Sequence, residues 1–190
     1  MQWGTSYFFP AIAMGSHISA SPNHQTFRHV PLKFRIDVAM SGRLGVELQP
    51  SSMSEDELSM CRNAIAGYKQ IRPTVQQGDL YRLMSPYDNN GVASLMYVAQ
   101  DKKQAVLYWY KTEHFHNQHL PSVCLDGLEP DSYYRLTELN RIDTQPLKIE
   151  GKVFSGSFLM SNGLDMPANH VLDKKDRNEY ASRVILLEKI

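Results

Sequence analysis

The stretch Gly15 to Arg28, GSHISASPNHQTFR, holds two histidines, an asparagine, a glutamine, a threonine and three serines. So many polar side chains in fourteen residues look like a site. The competing reading is structural, because irregular backbone at the rim of a fold must satisfy its own hydrogen bonds. No carboxylate accompanies them: the first acid in the chain is Asp37. A second stretch, EHFHNQH from Glu113 to His119, has metal-like spacing, since His114 and His116 share a face of an extended strand. It lies where a surface loop is expected between two strands and has no distant partner cluster, so neither a metal nor another cofactor is expected. No G-x-S-x-G elbow, P-loop or dinucleotide fingerprint appears.

The elements that must position these residues fall into two styles, changing near Pro73. Pro31 fits a first helical turn, Leu32, Ile36, Ala39 and Met40 recur at helical spacing, and Gly42 is a stop. Ser54 and Glu57 form a capping box for a second helix with Leu58, Cys61, Ile65, Tyr68 and Ile71 on one face, ended by Pro73. MGSHIS reads as a short buried strand, giving one βα unit, which cannot close a core by itself. After Asp79 come DLYRLM, then VASLMYVA and QAVLYWY as a hairpin, then SVCL, YYRLTEL, PLKIEG, KVFSGSF and RVILLE, separated by turn residues. Many short strands predict an antiparallel β-sandwich. In QAVLYWY, Leu107 and Trp109 should face one way and Tyr108 and Tyr110 the other, one pair in the core and one at a domain contact.

Twenty basic residues balance twenty acidic ones, so the charge needed to hold a phosphate backbone is missing and nucleic acid is excluded as a partner. No apolar run is long enough to suggest a membrane span. The N-terminal segment lacks the basic start of a secretory signal and is interrupted by Pro10. Cys61 and Cys124 read as two reduced interior thiols, which fits a cytoplasmic protein. Trp3, Tyr7, Phe8 and Phe9 read as packing residues rather than a sugar-stacking platform.

GTSYFFPAIAMGSHISASPNHQTFR, PLKFRIDVAMSGRLGVEL, IRPTVQQGDLYRLMSP and LMSNGLDMPANHV with SRVILLE resemble, in order and spacing, the C-terminal part of bacterial α-galactosidases of glycoside hydrolase family 36. The resemblance covers nearly the whole chain. It implies the last strand and helices of a (β/α)8 catalytic barrel over residues 1–75 and a C-terminal β-sandwich over 76–190. The loop after MGSHIS would then lie at the active end of the barrel, with His17, Ser19, Asn23 and His24 as the candidate contacts to sugar hydroxyls. It further implies hydrolysis, with retention, of terminal α-galactosyl groups of raffinose- and melibiose-type oligosaccharides, in a homo-oligomer. A retaining glycosidase needs two carboxylates roughly 5 Å apart. The family carries them in a Lys-Trp-Asp and a Trp-Thr-Ser-Asp type motif, neither of which occurs in this sequence. No residue here inherits a catalytic role, and the chain alone is expected to be inactive. The family often has glycine where Phe27 stands. The alternative is a stand-alone β-sandwich module binding carbohydrate or protein, with the N-terminal residues a tail.

Overall fold

The computed structural model describes residues 2–88, 91–113, 120–167 and 180–190. A short helix α1 (Gln2–Thr5) leads through a 3-10 turn at Ala11–Ala13 to strand β1 (Gly15–Ile18), helix α2 (Leu32–Met40) and strand β2 (Arg43–Val46). β1 and β2 pair in parallel, Gly15 opposite Arg43 and His17 opposite Gly45. The sequence promised one βα unit; the structure completes it to βαβ. RLGV was overlooked because Gly42 read only as a helix stop, whereas it also lets the chain turn tightly: a Cβ there would lie 2.9 Å from the Met14 carbonyl.

Helix α3 (Glu55–Gln77) starts on the expected capping box, Ser54 Oγ accepting from Glu57 N and Glu57 accepting from Ser54 N. It does not end at Pro73. The proline ring removes one helical hydrogen bond, but Pro73 lies on the exposed side, as does Lys69, whose carbonyl loses its partner and can be hydrated instead. The helix stops at Gly78, where a Cβ would come within 2.4 Å of the Thr74 carbonyl and 2.5 Å of the Val98 carbonyl.

The next residue opens β3 (Asp79–Met84), followed by β4 (Val92–Val98), β5 (Gln104–Lys111), β6 (Tyr133–Leu139), β7 (Val153–Ser155), helix α4 (Gly156–Ser161) and β8 (Ala181–Lys189). The six strands form one antiparallel sheet in the order β3-β4-β5-β8-β6-β7. Three expected strands differ. SVCL contributes one bridge, Val123 to Leu164. PLKIEG forms turns closed by Glu150 N to Leu147 O and Lys152 N to Ile149 O. KVFSGSF breaks into β7 and α4, because Ser155 Oγ accepts from Phe158 N and caps the helix.

The alternation in QAVLYWY is as expected, and both faces are buried, one of them against the helical part. Leu107 and Trp109 pack with Val123, Leu125, Leu136 and Leu159 on one side. Tyr108 and Tyr110 pack on the other with Ile36, Met40, Tyr68 and Val75 of the helical part. Cys61 is buried, but Cys124 is exposed, since Val123 and Leu125 take the inward positions around it. Trp3 is buried as expected. Tyr7, Phe8 and Phe9 instead stand 62, 83 and 56% exposed.

Helix α2 lies between the β1–β2 pair and the six-stranded sheet, which explains why its polar residues are also covered. The terminal carbonyls of a helix have no internal partners, and here tyrosines reach two of them, Asp37 and Met40, and the two carbonyls that follow the helix. Tyr110 Oη donates to Asp37 O at 3.0 Å, Tyr108 Oη to Met40 O at 2.8 Å, Tyr97 Oη to Ser41 O at 2.8 Å and Tyr68 Oη to Gly42 O at 2.7 Å. Burial drives the Tyr97, Tyr108 and Tyr110 phenols well above their ordinary range, so they stay protonated donors.

Candidate functional site

Two buried ionic groups lie on opposite faces of the six-stranded sheet, one of them on the helix that follows the polar loop. On α2, Lys33 Nζ and Asp37 Oδ2 pair at 2.7 Å, both almost fully buried. Asp37 also accepts from Ser182 Oγ of β8 at 2.7 Å and from Asn140 Nδ2 at 2.9 Å. Across the sheet, Arg183 pairs with Glu138 at 2.9 Å and with Asp143.

The loop from Ser19 to Val30 is closed at its neck by one residue of α2. Arg35 Nη1 donates to Ser19 O and its Nε to Val30 O at 3.0 Å, while Ser21 Oγ accepts from Val30 N at 3.0 Å. Partial burial lowers the Arg35 pKa from its ordinary value, against the pull of Glu57, yet a guanidinium so far from neutrality remains charged. Asn23 Oδ1 accepts from the backbone of Gln25 and Thr26 and from Thr26 Oγ1, and Asn23 N donates to Arg28 O. Asn23 therefore shapes the loop, the structural alternative set out from the sequence. Phe27 sits at φ 56°, a left-handed conformation that suits glycine. His24 is exposed, with no hydrogen bond to it among the described residues.

We expect Arg35→Met to open the neck. Measured by hydrogen exchange, the Val30 and Phe27 amides should lose protection while those of α3 keep theirs; unchanged protection at Val30 would show that Arg35 is not the clasp.

The two faces of the β1–β2 pair differ. Ser16 and Ile18 are buried toward α2, whereas Gly15 and His17 are exposed on the opposite face with Arg43 and Glu47. There His17 Nδ1 lies 3.0 Å from Glu47 Oε1, with side chains 48 and 61% exposed. Gly45 makes room for the imidazole: a Cβ on it would lie 2.2 Å from His17 Cδ2. Sequence reasoning found His17 but missed Glu47. The only available signal was parallel pairing between MGSHIS and RLGVE, a non-local contact. No cluster of three or more His, Cys, Asp or Glu that could hold a metal ion occurs among the described residues. Of EHFHNQH, His114 to His119 lie outside the described residues.

This combination, a parallel strand pair with a helix on one face and an antiparallel β domain behind that helix, has a counterpart among known proteins. The Melibiase family model matches residues 1–78, and the glycosyl hydrolase family 36 C-terminal domain model matches residues 92–187. The chain belongs to glycosyl hydrolase family 36. Among its relatives are the probable alpha-galactosidase G of Aspergillus terreus, 38% identical over the whole chain and 23% of the relative, and alpha-galactosidase AgaA of Geobacillus stearothermophilus, 39% identical over 88% of the chain and 21% of the relative. The family 36 alpha-galactosidase AgaB of G. stearothermophilus superposes over the whole chain and 23% of its own, with TM-score 0.84 and 33% identity. The alpha-galactosidase of Lactobacillus brevis does so over 24% of its own chain, with TM-score 0.86 and 31% identity. Variants of AgaA that match as well were solved with raffinose and with stachyose. The chain spans about a quarter of the length of these relatives.

Proposed function

We propose that this chain forms the end of the (β/α)8 barrel and the C-terminal β-sandwich of a retaining α-galactosidase acting on raffinose- and melibiose-type oligosaccharides. The observation that carries the reading is the one-sided covering of the β1–β2 pair. In a (β/α)8 barrel the helices cover the outer face of the strands and the other face looks inward. A polar, uncovered face beside a helix-covered one is what such a wall presents. The loop bearing Ser19, Asn23 and His24 follows the C-terminal end of β1, where barrel enzymes bind substrate. His17 and Ser19 are the closest of these to the strand end.

The two catalytic carboxylates come from polypeptide other than these 190 residues, and the working enzyme is a cytoplasmic homo-oligomer. The barrel part occupies residues 1–75 and the β-sandwich 76–190. A stand-alone module beginning near Gln76 is disfavoured, because it would strip Tyr97, Tyr108 and Tyr110 of the helices that cover them.

The purified chain should release no p-nitrophenol from p-nitrophenyl α-galactoside. Supplying the remaining barrel of a family 36 enzyme on a second polypeptide should restore turnover. Hydrolysis by the chain alone that survives replacement of both His17 and His24 would refute the reading. In sedimentation, the chain by itself should self-associate through the exposed Tyr7-Phe8-Phe9 patch, and Phe8→Ser with Phe9→Ser should return it toward monomer.

A further inference from the structure

The sequence sets no acid beside the polar loop, but the fold brings one from the next strand. Glu47 follows β2 on the face shared by Gly15, His17, Arg43 and Gly45. Both strands run in the same direction, so Glu47 and Ser19 stand at the same, C-terminal end of the pair, one step above His17 in the alternation. We propose that Glu47 accepts a hydrogen bond from a hydroxyl of the bound galactosyl unit, and that His17 is the positioning residue that holds the carboxylate. The proposal rests on the α-galactosidase reading.

The pair is constructed rather than incidental. The imidazole lies over the Cα of Gly45, where any side chain would displace it. Its Nδ1 faces Glu47 Oε1, while its Nε2 edge faces Gly15 and Arg43: a Cβ on Gly15 would lie 3.9 Å from His17 Nε2 and from Arg43 Nη2. A neutral imidazole in this pose must carry its proton on Nδ1 to bond Glu47. One oxygen of Glu47 thus faces the imidazole at 3.0 Å, and no hydrogen bond to the other, Oε2, occurs among the described residues. An ionised carboxylate is acceptor only, so it selects donors and repels anions, which suits a neutral polyol. An O–H···O⁻ bond from a sugar hydroxyl is among the stronger hydrogen bonds available to such a site.

Two measurements decide it. In the chain itself, ¹⁵N spectra of the histidine rings near pH 8 should show neutral His17 protonated at Nδ1, reverting to the Nε2–H form in Glu47→Ala; an Nε2–H form in the unaltered chain overturns the positioning role. For the contact, this chain replaces the corresponding quarter of Geobacillus AgaA. In that chimera Glu47→Ala should raise KM about 10- to 100-fold, as for loss of a hydrogen bond to a charged group, with kcat within about 3-fold. His17→Ala should raise KM less, and His17→Asn, whose carboxamide N–H replaces Nδ1–H, should recover most of the loss. Both side chains are half exposed, so these changes leave folding intact, which thermal unfolding verifies. An active chimera indifferent to Glu47→Ala sinks this proposal alone. A chimera with no turnover even before substitution sinks the α-galactosidase reading, and this proposal with it.

Discussion

Asp37→Ala should destabilise the chain by about 3–5 kcal/mol, the usual penalty for leaving one member of a buried ion pair without the other. The substitution strands the Lys33 ammonium in a fully covered position and also removes the acceptor for Ser182 Oγ and Asn140 Nδ2. Those three partners come from α2, β8 and the segment after β6, so one side chain ties the helix to the sheet. Urea titration followed by tyrosine fluorescence is the measurement. The double variant Lys33→Met with Asp37→Leu should recover much of the loss, because removing both charges leaves no unpaired ion to solvate. If the double variant is as unstable as Asp37→Ala, packing and not charge dominates this contact. If Asp37→Ala costs less than about 1 kcal/mol, the pair carries no more than an exposed one would.

Arg183→Met should cost a similar amount, about 3–5 kcal/mol at neutral pH, for the mirror-image reason: two acids, Glu138 and Asp143, lose their buried cation. The pH dependence separates this from a packing defect. Burial already raises the Glu138 carboxyl above its ordinary 4.5, with Arg183 pulling the other way. Removing Arg183 therefore raises it further. A carboxyl whose folded pKa lies above its unfolded one favours the folded state most below the unfolded pKa, and that advantage disappears as pH rises through the folded pKa. The deficit of Arg183→Met relative to the unaltered chain should accordingly be largest near pH 7 and shrink as pH falls, because Glu138 takes up its proton above the ordinary carboxylate range. A deficit constant from pH 7 to pH 5 would show that lost contacts, not an unpaired carboxylate, account for it.

The local signals in the sequence are the ones the structure repeats. The Ser54–Glu57 capping box starts α3, the β4–β5 hairpin turns at Asp101 to Lys103, and YYRLTEL is β6 over the expected seven residues. Each depends on neighbours in the chain. The failures share another cause. Lys33 and Asp37, four apart, carry no local signal of burial; they are buried because the sheet covers the side of α2 that would otherwise meet water. Glu47 was invisible as part of the site because only the register of two parallel strands brings it to His17. Pro73 misled because a helix tolerates proline where the freed carbonyl meets solvent. PLKIEG alternates as a strand should, but its backbone bonds close on themselves as turns. In the candidate site, then, the residue types were legible and their partners were not.

The tyrosine hydroxyls at the end of α2 have a consequence for how such enzymes can be recombined. Gly78, between α3 and β3, marks the obvious crossover in the chain. A hybrid made there would nonetheless split a matched set, because Tyr97, Tyr108 and Tyr110 donate to carbonyls at Asp37, Met40 and Ser41 on the other side of the junction. The heritable module is thus defined by who donates to whom: exchanging the sheet between relatives without its helix leaves carbonyls and phenols from different lineages to meet in the dark of one core. Viable crossovers should cluster upstream of Gly15, where helix, strand pair and sheet travel together.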